Sequence, residues 1–233
     1  LIADNQREGD DYLYEADFAA MNDAAAAILP AYMNPQPGYL GIHYATAAAL
    51  NDFIFNSLND NGALIVNYSG HGATQIWADE HILDSADLTG LTNTVELPFF
   101  VSMSCETGVF SYPEPWDFPS LAESLLRSTS GAVAALMPTG MSATEGQRIL
   151  NSALFEEIFT KDKRQLGEAI ANAKMTLLAN GDAYFEQVSQ TFLLFGDPAL
   201  TLKIPLPRMP SGVKAYRHAD GRVTISWNAA LDA

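Results

Sequence analysis

The chain has a single cysteine, Cys105, which directly follows a largely apolar run at positions 97–104 and precedes Glu106 and Gly108. A second apolar run, at positions 63–70, ends in His71 and Gly72. A thiolate attacks carbonyl groups well only when a base or a cation lowers the pKa of its thiol. Two buried-strand patterns that end in the two members of a Cys/His pair therefore predict nucleophilic catalysis of the cysteine-peptidase type.

Each catalytic role falls on a residue at the end of a predicted strand. Ligands of parallel α/β sheets gather at the carboxyl ends of the strands, so neighbouring strands would bring His71 and Cys105 to one crevice. Cys105 would attack the carbonyl carbon, and His71 would protonate the leaving amine or raise the thiolate fraction. The main-chain N–H groups of Gly72 and Cys105 would hold the oxyanion, because glycine lets the substrate carbonyl approach the backbone.

Both members of the pair also have structural interpretations. A free cysteine often packs as a small apolar side chain, and a loop histidine often bonds a backbone carbonyl. The matching strand–loop context of His71 and Cys105 favours catalysis over two independent packing roles. Ser69 is not a competing nucleophile, because the chain has no Gly-x-Ser-x-Gly elbow.

Strand and helix patterns alternate along positions 1–204. Continuous apolar runs predict strands that are buried on both faces, and apolar residues at helical spacing predict amphipathic helices. The predicted strands cover positions 1–3, 63–68, 98–104, 131–137 and 199–204, and the predicted helices cover positions 16–29, 45–58, 118–128, 149–159 and 166–178. This alternation predicts an α/β fold, a three-layer α/β/α sandwich around a mostly parallel sheet.

The pattern changes at Pro205, where closely spaced prolines at positions 205–210 predict a stiff linker. Positions 212–216 and 222–227 then alternate at period two around a His-Ala-Asp-Gly turn. That pattern predicts a hairpin that opens a truncated β-sandwich. We therefore expect a catalytic domain at 1–204, and a linker with the first strands of a second domain at 205–233. Because the chain starts in a strand pattern without a methionine, we expect a fragment.

The chain is strongly acidic: 12 Lys and Arg residues against 28 Asp and Glu residues give a formal net charge of −16. Such a surface repels nucleic acids and anionic membranes and tolerates basic substrates. No stretch of the sequence approaches the ~18–20 apolar residues of a membrane span. The single cysteine excludes an internal disulfide. We therefore expect neither nucleic acid partners nor a membrane span, although acidity alone identifies no partner. The expected protein or peptide substrates follow from the predicted peptidase chemistry instead.

An ordered set of short segments carries a family resemblance. The segments are Tyr68-Ser-Gly-His-Gly72, Trp77-Ala-Asp-Glu80, the block from Pro98 to Phe110, Ser120-Leu-Ala-Glu123, Gly131-Ala-Val-Ala-Ala135 and Leu194-Phe-Gly-Asp-Pro198. Together they resemble the gingipain family of cysteine peptidases, within the wider caspase–legumain–gingipain group. The resemblance implies a caspase-like fold, a catalytic dyad of His71 and Cys105, and endopeptidase activity without an organic cofactor. It also implies a following immunoglobulin- or fibronectin-like domain and a secreted or cell-surface bacterial protein.

The resemblance also suggests finer assignments. The family places an acid from upstream near the catalytic histidine, and Glu15 and Asp17 are the candidates here, although a helix N-terminus also favours carboxylates. Family members that cleave after Arg or Lys carry an acid in the specificity pocket, for which Asp23 is the candidate. Trp77 and Met141 would line the substrate pocket or fill the core.

Some relatives bind calcium, so the resemblance implies a structural calcium ion as an option. The acidic loops at positions 4–11 and 79–87 lack the ligand spacing of an EF-hand. Solvated loop charge is therefore the favoured explanation for these acidic residues.

Two other functions remain open at this stage. A sortase-like transpeptidase of a secretion system would use the same thiol and pass the acyl group to an amine. A non-catalytic extracellular adhesion or scaffold protein would carry a degenerate peptidase domain, against which the intact His71 and Cys105 pair argues.

Overall fold

The structure, a computed structural model, describes residues 1–5, 18–111, 118–181, 183–204 and 211–228. The strands in these ranges are β1 (Ile2–Ala3), β2 (Gly38–Tyr39), β3 (Ile65–Ser69), β4 (Gly72–Ala73), β5 (Ile76–Trp77), β6 (Leu83–Asp84), β7 (Phe99–Met103), β8 (Ala134–Pro138), β9 (Phe192–Phe195), β10 (Ser211–Arg217) and β11 (Val223–Asn228). The α-helices are α1 (Phe18–Ala26), α2 (Ala47–Asn56), α3 (Leu121–Arg127), α4 (Thr144–Phe155), α5 (Leu166–Leu178) and α6 (Ala183–Thr191). Short π-helical turns follow α2 (Ser57–Asn61) and α4 (Glu156–Thr160), and a 3₁₀ turn spans Asp87–Gly90.

The main sheet has the strand order β2-β1-β3-β7-β8-β9. All neighbouring strands run parallel except β9, which is antiparallel to β8. The predicted mostly parallel sheet is therefore confirmed. Every residue of the inner strand β7 is buried, as expected for a parallel strand with helices on both sides.

Helices cover both faces of this sheet. On one face, Phe99, Val101 and Met103 of β7 pack with apolar residues of α1, α4 and α5. On the other face, Phe100 packs with apolar residues of α2 and α3. Burial of a large apolar side chain contributes ~1.5–3 kcal/mol, so these two clusters hold the three layers together.

The start of α3 supports a loop at the carboxyl edge of the sheet. Ser120 caps this helix: its side chain accepts a hydrogen bond from the Glu123 N–H, and the Glu123 carboxylate accepts one from the Ser120 N–H. This reciprocal arrangement satisfies two N–H groups that a helix start would otherwise leave free. The Leu121 N–H then donates to the Thr74 carbonyl at 2.7 Å, which ties the helix to the segment after β4.

Two parts of the fold differ from the sequence prediction. The predicted strand at 199–204 is wrong: Asp197 turns the chain by accepting hydrogen bonds from the Ala199 and Leu200 N–H groups, and only an isolated bridge joins Thr201 to Gln165. The small antiparallel sheet β4-β5-β6 and the helix α6 were not predicted. Two-residue strands have too few positions to show a period of two.

The last two described strands form the predicted hairpin. β10 and β11 pair antiparallel, with Ala215 opposite Ile225 and Arg217 opposite Val223. The β-sandwich that this hairpin would open remains a prediction, as does the domain boundary, and the predicted linker at 205–210 lies outside the described residues. None of the helices in the described ranges is long and apolar enough to cross a membrane.

Candidate active site

His71 and Cys105 leave the sheet from adjacent strands. β3 and β7 are parallel neighbours, and their register places Ser69 beside Met103. The Gly70 N–H continues this ladder by donating to the Met103 carbonyl at 3.1 Å. His71 and Cys105 each follow two positions after the last paired residue of their strand. Because adjacent strands lie ~4.8 Å apart, the two loops start side by side at the carboxyl edge of the sheet.

The two loops are in direct contact at Gly72. A Cβ atom at this position would lie 2.7 Å from the main-chain oxygen of Cys105 and 2.9 Å from the Cβ atom of Ser104. Neighbouring atoms do not approach a real Cβ atom so closely, so glycine is required for this contact. The backbone after His71 therefore touches the backbone of Cys105.

The side chains of His71 and Cys105 lie on the same face of the sheet. The His71 ring meets the Phe18 ring of α1 edge-on, with centroids 5.4 Å apart. The Cys105 Sγ lies 3.8 Å from the carbonyl oxygen of Ser142, in the segment that leads into α4. Phe18 packs in the same apolar cluster as residues of α4. His71 is exposed and Cys105 is partly exposed, so a substrate can reach both.

Core residues hold the carbonyl group of His71 through two hydrogen bonds. It accepts hydrogen bonds from the Tyr68 hydroxyl at 2.6 Å and from the Ala78 N–H at 3.0 Å. The Tyr68 ring in turn stacks on Trp77, with centroids 4.3 Å apart and planes at 9°. Trp77 has no exposed surface, which corrects its assignment to the substrate pocket: it packs in the core and supports the His71 loop.

An acid that the sequence analysis did not select, Asp4, lies behind His71. Asp4 follows β1, which pairs with β3, and its Oδ2 atom accepts a hydrogen bond from the His71 N–H at 3.2 Å. Its Oδ1 atom accepts a bond from the Asn5 N–H at 2.8 Å. The pKa of Asp4 is raised from 3.8 to about 6, mainly by burial. The hydrogen bond from His71 opposes this rise, and the negative charge of Glu80 adds to it.

The proximity of Asp4 to His71 could have been predicted from its place after a strand pattern. Asp4, His71 and Cys105 all follow strand patterns, and parallel neighbours carry their carboxyl ends to one edge. The upstream candidates chosen instead, Glu15 and Asp17, lie outside the described residues.

The loop after Cys105 is fixed by its own backbone and by buried hydroxyls. Glu106 adopts a left-handed conformation with φ of 56°, and its N–H donates to the Gly140 carbonyl at 3.2 Å. Ser104 lies between two other fully buried hydroxyl side chains, with oxygen distances of 2.7 Å to Ser102 and 3.1 Å to Thr107. These contacts join the two sides of the Cys105 turn.

The remaining candidates for the substrate pocket are Met141 and Asp23, both of which lie among the described residues. Met141 precedes Ser142, whose carbonyl faces Cys105 Sγ, and 64% of its side chain is exposed. Asp23 is exposed on α1 and accepts a hydrogen bond from the Tyr39 hydroxyl at 2.8 Å. Their roles in substrate recognition stay predictions.

Metal ligands are sparse in the described part of the chain. No group of three or more His, Cys, Asp or Glu side chains within it is arranged to hold a metal ion. Most of the acidic loop at 4–11 lies outside the described residues, and the calcium ion implied by the resemblance stays a prediction.

The chain is similar to known proteins over most of its length. The model of Peptidase family C25 matches residues 1–203. Gingipain R1 of Porphyromonas gingivalis is 29% identical over 185 residues, covering 74% of this chain and 18% of that protein. Gingipain R2 of the same organism is 29% identical over 157 residues, covering 64% of this chain and 21% of that protein.

A solved structure gives the same result for the fold. The crystal structure of the Arg-specific cysteine proteinase gingipain R superposes with a TM-score of 0.69 at 25% identity, covering 92% of this chain and 50% of that chain. The present chain thus spans about a fifth of those curated relatives and half of the solved chain. On the match to residues 1–203, which is most of its length, the chain belongs to Peptidase family C25.

Proposed function

We propose that this chain carries the catalytic centre of a cysteine endopeptidase, with Cys105 as nucleophile and His71 as acid–base. The observation that carries the proposal is the contact at Gly72, where the loop after His71 touches the Cys105 backbone. Two chemically complementary side chains on adjacent loops, both accessible and on one face of the sheet, suit attack on a peptide bond.

The proposed reaction follows the usual order for a thiol peptidase. The Cys105 thiol gives its proton to the His71 imidazole, its sulfur bonds to the scissile carbonyl carbon, and the carbonyl oxygen becomes an oxyanion. Collapse of this intermediate breaks the C–N bond, and the imidazolium of His71 gives its proton to the departing amine. Water then attacks the thioester, which releases the carboxylic acid and returns the thiol.

Two main-chain N–H groups are the proposed oxyanion donors. The Ala78 N–H bonds the His71 carbonyl, so Gly72 and Trp77 form a non-hydrogen-bonded pair of the β4–β5 ribbon. The N–H of Gly72 therefore points away from β5 and is not used by that ribbon. The N–H of Cys105 is the second donor, since it lies beside the attacking sulfur. Removing one such donor from a peptidase lowers kcat by ~10²–10³-fold.

Asp4 is the proposed acid that supports His71. Its carboxylate accepts a hydrogen bond from the His71 N–H at 3.2 Å and, once ionised, places a negative charge beside the residue that carries the proton in the proposed reaction. Because the pKa of Asp4 is about 6, this support is present at neutral pH and is lost under acidic conditions.

Cleavage after basic residues is the proposed specificity. One solved relative is described as Arg-specific, and the net charge of −16 attracts cationic peptides. Asp23 is the candidate acid for this preference. The substitution Asp23→Asn would lower kcat/KM for peptides with Arg before the cleaved bond. It would leave kcat/KM unchanged for a peptide with a neutral residue at that position.

The deciding experiment uses the single thiol of the chain. Cys105→Ala is expected to abolish cleavage of a peptide library and labelling by an acyloxymethyl ketone, while the Tm shifts by less than about 2 °C, because a partly exposed side chain contributes little to the core. A wild-type protein that neither cleaves nor is labelled would favour the scaffold function. An added amine nucleophile that becomes the main acyl acceptor would favour the transpeptidase.

The surroundings of the catalytic centre are proposed from the family and from the hairpin. The proposed location, secreted or at the cell surface, is supported by the resemblance to the gingipain family. A second domain after position 204 is supported by β11, whose Val223, Ile225 and Trp227 are each more than half exposed. A lone hairpin is marginally stable in water, so further strands are expected to cover these side chains.

A further inference from the structure

The carbonyl group that precedes the nucleophile is held by two side chains. The Ser104 oxygen accepts a hydrogen bond from Gln147 Nε2 at 2.7 Å and from Ser142 Oγ at 2.9 Å. Gln147 belongs to α4 and is 2% exposed, and Ser104 is fully buried. A glutamine is seldom buried without a specific hydrogen-bonding role.

Holding this carbonyl also orients the N–H of Cys105. The peptide unit between Ser104 and Cys105 is planar, and in the trans form its C=O and N–H point in opposite directions. Two donors on the carbonyl oxygen therefore restrict rotation of the whole plane. The N–H of Cys105, one of the two proposed oxyanion donors, then has a single direction before substrate binds.

Gln147 also controls the second of the two donors. Its Nε2 atom lies 2.6 Å from Ser142 Oγ, so the same amide orients the hydroxyl that bonds Ser104. The main-chain oxygen of Ser142 lies 3.8 Å from the Cys105 sulfur. Connected hydrogen bonds strengthen one another in a low-dielectric interior. Loss of the Gln147 amide would therefore remove its own bond to the Ser104 carbonyl and loosen both the Ser142–Ser104 hydrogen bond and the contact of Ser142 with the Cys105 sulfur.

We infer that Gln147 is a positioning residue, which aims the main-chain N–H of Cys105 at the oxyanion of the transition state. The inference rests on the proposed peptidase function. Gln147 is buried behind Ser104, and its effect passes through the peptide plane. It should therefore act on the tetrahedral state more than on substrate binding.

Gln147→Met is the first test, because methionine has a similar shape and no N–H donor. We expect kcat to fall about 10–100-fold, at or below the loss caused by removing an oxyanion donor, with KM within about threefold of wild type. A peptide aldehyde forms a tetrahedral adduct with the thiol, so its affinity should fall by the same factor as kcat. Alkylation of Cys105 by iodoacetamide involves no oxyanion and should stay within about threefold.

Gln147→Glu adds a pH signature that a packing role would not produce. A protonated carboxyl donates one O–H to the Ser104 carbonyl, whereas a carboxylate repels it. Burial raises the pKa of a carboxyl group, so the change falls in a measurable pH range. The kcat of this variant, divided by that of wild type at the same pH, should rise as the pH falls.

Asn93→Leu is the matched control for the loss of a buried amide. Asn93 is 5% exposed, and its Nδ2 atom donates to the Glu96 and Gly131 carbonyls, both at 3.3 Å. These residues precede β7 and β8 and so lie at the opposite edge of the sheet from Cys105. We expect Asn93→Leu to lower the Tm and to leave kcat and aldehyde affinity unchanged.

The outcomes separate this inference from the proposed function. A folded Gln147→Met protein with kcat within threefold of wild type would overturn the inference, and so would a parallel loss of kcat and alkylation rate. If Gln147→Met does not fold, the pH trend of Gln147→Glu decides, and a flat ratio counts against the inference. A wild-type protein that neither cleaves peptides nor binds the aldehyde refutes the peptidase function first, and the inference falls with it.

Discussion

Replacement of Asp4 by asparagine separates the stability of this protein from its proposed catalysis. Asp4 is 5% exposed, and its two carboxylate oxygens accept hydrogen bonds from the N–H groups of Asn5 and His71. Asparagine keeps the shape and one acceptor oxygen but places an NH₂ group against the other N–H. That mismatch lowers stability by the same amount at every pH, so the pH dependence, rather than the absolute value, reports the carboxylate.

The sign of the pH dependence follows from the raised pKa. Below pH 3.8 the Asp4 carboxyl is protonated in the folded and unfolded chains and contributes no difference. Between pH 3.8 and about 6 the unfolded chain loses the proton first, so the free energy of unfolding falls as the pH rises. Each pH unit between the two pKa values corresponds to ~1.4 kcal/mol. The full penalty above pH 6 is therefore about 3 kcal/mol, of which about 2 kcal/mol develops between pH 4 and pH 7.

Urea unfolding of wild type and Asp4→Asn at a series of pH values measures this penalty. The free energy of unfolding of the variant minus that of wild type should rise by about 2 kcal/mol from pH 4 to pH 7. Asp52→Asn is the control, because Asp52 is exposed and its replacement removes one surface charge from the same acidic chain. Low protein concentrations are needed because the pI is about 4.4.

Activity should change in the opposite direction. At pH 7 the variant lacks the negative charge behind His71, and we expect kcat to fall about tenfold, which corresponds to ~1.4 kcal/mol of lost transition-state stabilisation. A difference in unfolding free energy that stays flat from pH 4 to pH 7 would show that the Asp4 carboxylate is not held in a desolvated site. If the unfolding free energy shows the expected pH trend but kcat is unchanged, Asp4 is buried as described and has no part in catalysis. The roles proposed for Cys105 and His71 would then be unaffected.

Two further substitutions test the loops around the centre. Gly72→Ala would place a Cβ atom 2.7 Å from the Cys105 oxygen, so the loops must separate and kcat/KM should fall by about 10²; steady-state kinetics checks this, and full activity would contradict the contact. Ser120→Ala removes the hydroxyl of the Ser120–Glu123 capping pair and should destabilise the fold by about 1 kcal/mol with little loss of activity. Thermal unfolding measures that change, and an unchanged Tm would mean that the cap contributes nothing here.

The predictable parts of the fold are the elements whose residues show a regular pattern of burial along the chain. The run at 98–104 is largely apolar and wholly buried in β7 because that strand is covered on both faces, and α5 shows its helical period over Leu166–Leu178, the range that was predicted. α6 was missed because Val188 alone among its described residues is buried, which leaves too little apolar period to detect. The strand predicted at 199–204 failed because Asp197 forms a turn through its side chain, a local hydrogen bond that hydrophobicity does not report.

The candidate site divides in the same way. Cys105, His71 and Gly72 were predictable because strand ends in parallel sheets converge, which makes position in the chain informative. Asp4 and Gln147 form side-chain hydrogen bonds with main-chain groups 67 and 43 positions away. Such contacts depend on strand order and on the rotation of a helix about its axis. Neither is readable from the spacing of one sequence.

A pattern inside the strands nevertheless marks the edge of the sheet at which the candidate site lies. β3 and β7 begin with apolar residues and end with buried polar residues at period two, which are Asn67 and Ser69 on β3, and Ser102 and then Ser104 on and after β7. Asn67 and Ser69 both donate to the Asn22 side chain of α1, whose amide donates to the Ile2 carbonyl.

A buried polar group is costly unless a partner satisfies it. The Asn67 and Ser69 donors are satisfied by Asn22, although the Asn67 Oδ1 atom has no partner among the described residues. The network therefore permits few arrangements of the strand ends, whereas apolar side chains there would tolerate small shifts. His71 and Cys105 stand directly beyond these residues, so the same polarity that weakens the apolar core locally also restricts how far imidazole and thiol can move apart. In this chain, polar residues alternating at the end of an otherwise apolar strand are thus a sequence signal for the edge that carries the candidate site.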